Sequence, residues 1–358
     1  MISDFIKKKL KGEDIICGIL GISFFFVLSY LTNTDYRKWK RTNFFTNKNT
    51  QRIYINERTT LDELCDILVK NNIVKNVDDF KSCWNIRRCE RFLCRKYSKS
   101  PTVKPGSYIL KTNSTNEDVV TKLRSGTQDP ISLRIPQLDT KKQFSEYVSK
   151  HLMMRSADLL EVLNDDKFLK QFNTDKNHIM NTIISNTYSY YWNISPQQLV
   201  VKLTNEYKTF WNSNRLTKAK NIGLSQDEVM ILASIVEKEI ANIDEASTIA
   251  GIYMNRLRRK MRLEADPTLQ YAIKYEYNNN ANCSNFHTLK SEYNTYYKRG
   301  LPCGVITTPS TVCIDAVLNY KHHNYLYFVV SEDKKHHIFS EGYDDHLRHV
   351  RRYRKHKK

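Results

Sequence analysis

The stretch Ser225-Gln226-Asp227-Glu228-Val229-Met230-Ile231-Leu232-Ala233-Ser234-Ile235-Val236-Glu237-Lys238-Glu239 begins with a helix cap and ends in acid. Ser225 and Glu228, three apart before an apolar run, form a capping-box signature in which side chains satisfy free backbone N–H groups. Leu232, Ala233, Val236 and Ile240 continue at helical spacing with little polar relief. At about 100° per residue, Glu239 falls over Leu232 and beside Ile235 and Val236. Glu237 falls about 200° away, over Met230 and Ala233, so the two acids cannot act together on one small target. A carboxyl group against Leu and Ile loses hydration, which disfavours its charge and raises its pKa towards general-acid use. Taken alone, such a residue is more often a buried glutamate paired with Lys or Arg.

The residues that follow carry further signals. Asn255-Arg256-Leu257, Asp266-Pro267-Thr268, Tyr293-Asn294-Thr295-Tyr296, Gly300-Leu301-Pro302-Cys303-Gly304 and Thr308-Pro309 come in that order. With Ala233-Ser234-Ile235-Val236-Glu237-Lys238-Glu239 before them, they resemble the endolytic murein transglycosylases, the family also called YceG-like. Several unrelated short motifs in one order make the match specific. It extends more weakly to Lys104-Pro105-Gly106-Ser107-Tyr108 upstream and to His337, Phe339 and His346 downstream. The resemblance implies that Glu239 is catalytic, the same carboxylate that helix geometry sets among apolar residues. It points to Asn255, Arg256, Asp266, Thr268, Tyr293, Asn294, Thr295 and Tyr296 as candidate substrate-binding residues. Tyr293 to Tyr296 offer hydroxyl, amide and ring surfaces suited to sugars, and Arg256 and Asp266 could orient the acid or the substrate. For Asp266 a helix-capping role is as plausible as direct contact. Two positions depart from the family pattern: Gln137 stands where relatives have the Glu of I-P-E-G, and Asn186 where they have the Asp of P-D-T-Y.

Length and charge set outer limits. The 358 residues exceed one typical domain. A net charge of +19 raises nucleic-acid binding as a prior. The basic residues are dispersed, and there is no zinc-finger spacing, RNP-type motif or Walker loop, so no nucleic-acid partner is expected. Only Arg348 to Lys358 is densely basic, which reads as a solvated tail or a contact to anionic lipid or wall polymer. Cys83, Cys89 and Cys94 are near enough for a local bridge but lack zinc spacing. The doublets His322-His323 and His336-His337 lack matching ligands, so no metal is expected.

Ile15 to Leu31 is an uncharged run of 17 residues after Lys7, Lys8, Lys9 and Lys11, the short end of what spans a bilayer. With no small-x-small cleavage pattern after it, this is expected to be an uncleaved anchor. The family resemblance, not charge asymmetry, sets the N-terminus in the cytoplasm and the remainder on the outer side of the cytoplasmic membrane. The expected fold class is α+β: an N-terminal transmembrane helix, a small LysM-like α+β domain, and a mixed α/β catalytic domain with its catalytic Glu on a buried helix. The corresponding boundaries are 1–33 for tail and anchor, 34–50 for a linker and 51–130 for the LysM-like domain. The catalytic domain is expected over 131–347, with its core at 223–347, and a basic tail over 348–358. Expected elements include strands at Arg52–Ile55, Tyr108–Leu110 and Tyr325–Val330. Helices are expected at Thr60–Lys70, Val77–Phe92 and Asp244–Lys260. A short helix opening with Asp266-Pro267 as N-cap and N1 is expected as well.

The implied function is endolytic cleavage of the MurNAc–GlcNAc bond within peptidoglycan, leaving a 1,6-anhydroMurNAc end. It requires no cofactor. Peptidoglycan strands and membrane lipid would be partners, with cell-wall synthases as further candidates. The alternative is a non-catalytic, membrane-anchored peptidoglycan-binding scaffold for those synthases.

Overall fold

The computed structural model describes residues 33–46, 48–93, 103–279 and 288–356, with side chains given for all of these except 86–93 and 356. The chain divides into two compact units. One runs to Ile131 and takes in Tyr191–Asn193; the other holds Ser132–Tyr190 and Ile194–Lys358. The expected anchor Ile15–Leu31 lies outside the described residues. No helix among the described residues is long and apolar enough to cross a membrane.

The first unit is a two-stranded antiparallel sheet with helices. Strand β1 (Thr50–Ile55) pairs with β2 (Gly106–Lys111), Thr50 opposite Lys111 and Ile55 opposite Gly106. Alternation sends Ile53 and Ile55 into the core and Tyr54 outward. Between the strands lie α1 (Leu61–Lys70) and α2 (Val77–Leu93), and α3 (Asn116–Ser125) follows β2. Capping boxes at Thr60/Glu63 and Thr115/Asp118 start α1 and α3, and Gly126 ends α3 at φ 75°. One expectation fails here. Within the expected linker, Phe44 is fully buried edge-on to Phe80 at 5.5 Å. Asn43 donates to Asn76 O at 2.7 Å and to Asn116 Oδ1 at 2.9 Å. The polar residues that suggested a linker are spent on internal hydrogen bonds. Cys83 is a free buried thiol, while the side chains of Cys89 and Cys94 lie outside the described residues.

The second unit is mostly helical. Strand β3 (Ile131–Arg134) pairs with β4 (Thr187–Tyr190), with α4 (Lys141–Ser149), α5 (Ser156–Val162) and α6 (Asp166–Leu169) between them. Then come α7 (Pro196–Phe210), α8 (Ser213–Ile222), α9 (Gln226–Glu239), α10 (Ala246–Arg258) and α11 (Asp266–Tyr271). Helix α12 (Thr311–Leu318), the hairpin β5 (Tyr327–Val330) and β6 (His337–Ser340), and α13 (Tyr343–His356) complete it. Every residue of α9 from Val229 to Val236 is buried, because α10, α11 and α12 all pack against it.

Several local expectations need correction. Strand β5 begins at Tyr327, not at the expected Tyr325, and is half-buried, having the hairpin partner on one side only. Helix α10 starts at Ala246, with a single tight turn over Ile243–Glu245 before it. The basic tail is largely the end of α13, not a free extension. Asp344 and Asp345 occupy its first turn and the cationic residues its far end, as the helix dipole favours. Its Tyr343 and His346 rings pack on Tyr327 at 5.6 and 5.3 Å.

Candidate active site

Three consecutive residues at the end of α9 have three different tasks. Glu237 Oε2 accepts from the Ser310 backbone N–H at 3.0 Å and its hydroxyl at 2.6 Å, and Oε1 accepts from Gln137 Nε2 at 2.9 Å. Burial alone would raise its pKa, but hydrogen bonds from Cys313, Ser310 and Gln137 outweigh that and hold the carboxyl below its usual range. Lys238 pairs with Asp139 at 2.8 Å. Glu239 has one hydrogen-bond partner among the described residues, the Tyr253 hydroxyl, which donates to Oε1 at 2.8 Å. Burial pushes the Glu239 carboxyl up to about 7. Asp266 adds to that rise, while the Tyr253 hydroxyl and Arg256 oppose it. The C-terminal end of a helix also disfavours negative charge.

Tyr253 was legible only as an apolar-face residue of α10. A tyrosine on the inward face of a helix needs a partner for its hydroxyl, and that signal points to a nearby acceptor. Burial, with Glu239 beside it, holds this hydroxyl far above its usual range, so it keeps its hydrogen. Ser234 was missed as well. Its buried hydroxyl donates to Ile231 O at 2.7 Å and accepts from Ile306 N at 3.1 Å, fastening the Gly300–Thr308 segment to α9.

The motif residues assemble around this helix end, and most of them work as frame. Arg256 is 7% exposed. Its guanidinium donates to Leu326 O at 2.7 Å and Leu263 O at 2.9 Å, and lies 5.1 Å from the Tyr327 ring. Asn255 donates to His323 O at 2.7 Å and Tyr325 O at 3.1 Å, holding the segment that enters β5. Thr268 and Thr295 are buried with their hydroxyls 2.8 Å apart, and Thr295 also accepts from Ala265 N at 3.0 Å. Asn294 is 0% exposed; its amide donates to Leu289 O at 2.8 Å and accepts from Tyr296 N at 3.0 Å. The side chains of Asn294, Thr295 and Thr268 therefore shape the turn.

Asp266, Tyr293 and Tyr296 are placed differently. Asp266 is the first residue of α11 and caps nothing, contrary to the N-cap expectation; Ala265 holds the cap position. Its exposed carboxylate accepts instead from the Tyr296 hydroxyl. Tyr293, at the other end of the same turn, packs against Tyr271 with ring centroids 4.6 Å apart and the planes tilted by 40°. A Cβ at Gly304 would meet the Tyr293 hydroxyl at 3.0 Å, which explains a glycine there. The two departures are also accounted for. Gln137 donates to Glu237, as a second carboxylate could not do without a shared proton. The Asn186 side-chain oxygen accepts from Thr187 N at 2.8 Å, a bond an aspartate makes equally well.

The arrangement supplies one protonatable carboxyl in a largely dry setting, with a tyrosine-rich turn beside it. It can give a proton to an oxygen and take one back.

Comparison with known proteins agrees. The model of the YceG-like family matches residues 53–352. The chain is 26% identical over 286 residues to proteins named endolytic murein transglycosylase in two strains of Streptococcus pneumoniae, covering 71% of this chain and 51% of theirs. It thus spans about half the length of those curated relatives. A Bacillus subtilis protein of the same name is 23% identical over 305 residues, 80% of each chain. A yceG-like protein of Listeria monocytogenes, known by crystal structure, superposes with TM-score 0.55 at 22% identity. That superposition covers 84% of this chain and 99% of the other, and shows a shared fold. With the family's pattern running through both units and through Glu239, the chain belongs to the YceG-like family.

Proposed function

We propose that this chain is an endolytic murein transglycosylase acting on peptidoglycan. Glu239 protonates the glycosidic oxygen between MurNAc and GlcNAc as that bond breaks. The resulting carboxylate then removes the proton from the C6 hydroxyl of the same muramoyl ring, whose oxygen closes on C1 to give a 1,6-anhydro end. The attacking hydroxyl is already tethered to the reacting carbon, so the second carboxylate of an ordinary glycosidase is unnecessary. The observation that carries this reading is the contrast at the end of α9. Glu237 is committed to Ser310 and Gln137, whereas Glu239 has its carboxyl raised to about 7 and, among the described residues, accepts a hydrogen bond only from a tyrosine. A group with that pKa changes protonation state readily in both directions near neutral pH.

In the same proposal, Ile15–Leu31 anchors the chain in the cytoplasmic membrane with both units on the outer side. The first unit serves as a LysM-like module that positions glycan, and cell-wall synthases are candidate neighbours. The uncharged run after four lysines supports the anchor. A reporter fused after Lys358 should work only in the exported compartment; activity of a cytoplasm-only reporter removes this topology. The reaction is tested by digesting purified glycan strands and weighing the products. An anhydromuramoyl end is one water lighter than a reducing end. Reducing ends would make the protein a hydrolase, and glycan binding without any cleavage would make it a scaffold.

A further inference from the structure

Beside the end of α9, and apart from Glu239, the second unit holds a cavity of about 450 Å³. Tyr271 and Tyr293 form an aromatic wall, and Lys141, Lys176, His178 and Asp139 bring charge to it. Most of that charge is already matched. Asp139 pairs with Lys238 and accepts from the Tyr275 hydroxyl at 2.9 Å. His178 faces Asp175 at 2.9 Å, and Lys176 faces Asp166 at 3.2 Å. Lys141 differs. Its ammonium donates to Asn164 Oδ1 and to Lys176 O, both uncharged acceptors, and no carboxylate pairs with it among the described residues. Burial lowers its pKa and Lys176 acts in the same sense, while the more distant carboxylates of Asp166 and Asp175 oppose them only in part.

The cavity is also tied to the acid. Lys238, next to Glu239, holds Asp139 in its wall. Tyr293 lines it, while Tyr296, three residues on, hydrogen-bonds the Asp266 that acts on Glu239. Cys303 and Val305 also line it, in the segment that Ser234 fastens to α9.

We propose that this cavity is a binding subsite for the acid-bearing substituent of a muramoyl residue. The apolar sugar and side-chain surface would lie against Tyr271 and Tyr293, and the peptide carboxylate would meet Lys141. Aromatic faces with a few convergent polar groups suit a saccharide, and an ammonium with no carboxylate in direct contact among the described residues supplies the charge-assisted bond that selects a carboxylate. The assignment takes its substrate class from the proposed function but is tested by binding alone.

The probes are N-acetylmuramyl dipeptide and the same compound with its one free carboxyl group converted to a carboxamide, titrated into the full chain by calorimetry. The wild type should bind the acid about ten-fold more tightly than the carboxamide, the value of one charge-assisted hydrogen bond. Lys141→Gln should bind both with equal, weak affinity, and Lys141→Arg should restore the preference. Lys141→Gln gives up the bonds to Asn164 and Lys176 O, so its thermal midpoint is measured alongside, and Lys141→Arg keeps the test decisive if that midpoint falls. Equal binding of acid and carboxamide by the wild type overturns the proposal, as does a preference that survives in Lys141→Gln or no binding of either probe. If the acid is preferred through Lys141 and yet no glycan is cleaved, the subsite stands and the enzymatic reading falls.

Discussion

Glu237 and Glu239 leave the same helix two residues apart and enter opposite environments. The face of Glu237 turns to the start of α12, where the Ser310 N–H, the Ser310 hydroxyl and the Gln137 amide converge on it. The face of Glu239 turns to α10 and meets one hydroxyl. Both carboxyls lose hydration, and burial pushes both upward; what separates them is the number of donors provided in return. A carboxylate with enough donors becomes a structural clip. One left short keeps its proton near neutrality and becomes available for chemistry.

The sharpest way to break this contrast is to remove each acid in turn. Glu239→Gln should lower glycan cleavage by about 10²- to 10⁴-fold or more, the usual worth of a general acid–base group, with the fold retained. Glu237→Gln should keep most of the activity, since its amide oxygen can still accept from Ser310. Equal losses in product-release assays would end the distinction.

Stability should separate the two acids by pH. Glu239 has a folded pKa above its ordinary 4.5, so the stability linked to it is present at low pH and is lost as pH rises from about 4.5 through about 7. Glu239→Gln should therefore be more stable than wild type at pH 8, by roughly 3 kcal/mol at most, in denaturant titrations. Glu237 has the opposite sign: its stabilisation is present above its ordinary value and fades as pH falls through the lowered one. Glu237→Ala should cost roughly 2–3 kcal/mol at neutral pH by leaving the Ser310 N–H and the Gln137 amide without their acceptor. A denaturation midpoint unchanged by that substitution would remove the clip.

A smaller effect is expected at the turn. Asn294→Ala should cost about 1–2 kcal/mol through the lost bonds to Leu289 O and Tyr296 N. Activity per folded molecule should fall only as far as Tyr296 shifts. A large drop in turnover at unchanged thermal midpoint would instead make Asn294 a substrate ligand. The smallest effect concerns tuning. Tyr253→Phe removes a donor that lowers the Glu239 pKa, so the alkaline fall in cleavage rate should move from near pH 7 to higher pH. A shift to lower pH, or none, would show that the hydroxyl does not act on the acid.

The helix that carries the site was legible because its signals were local and agreed. Ser225 and Glu228 capped it, apolar residues filled it, and the angle between residues 237 and 239 followed from helix geometry alone. The donors were not legible, because Gln137, Tyr253 and Ser310 reach α9 from distant points in the chain. Sequence spacing could likewise not tell a motif asparagine that holds a loop from one that holds a sugar. Asn255 and Asn294 both turn inward to carbonyl groups, a choice made by tertiary packing. The polar segment around Asn43 looked open for a similar reason, its partners Asn76 and Asn116 being far away in sequence.

A carboxyl group has two oxygens that are interchangeable in solution, and Tyr253 ends that equivalence in Glu239. Its hydroxyl donates to Oε1 and, with its ionisation so strongly suppressed, keeps the hydrogen that it donates. That bond favours Oε2 over Oε1 as the oxygen that carries the labile hydrogen of the neutral acid. In the proposed reaction that bias is in place before any glycan arrives. The tyrosine thus gives a symmetric functional group a handedness.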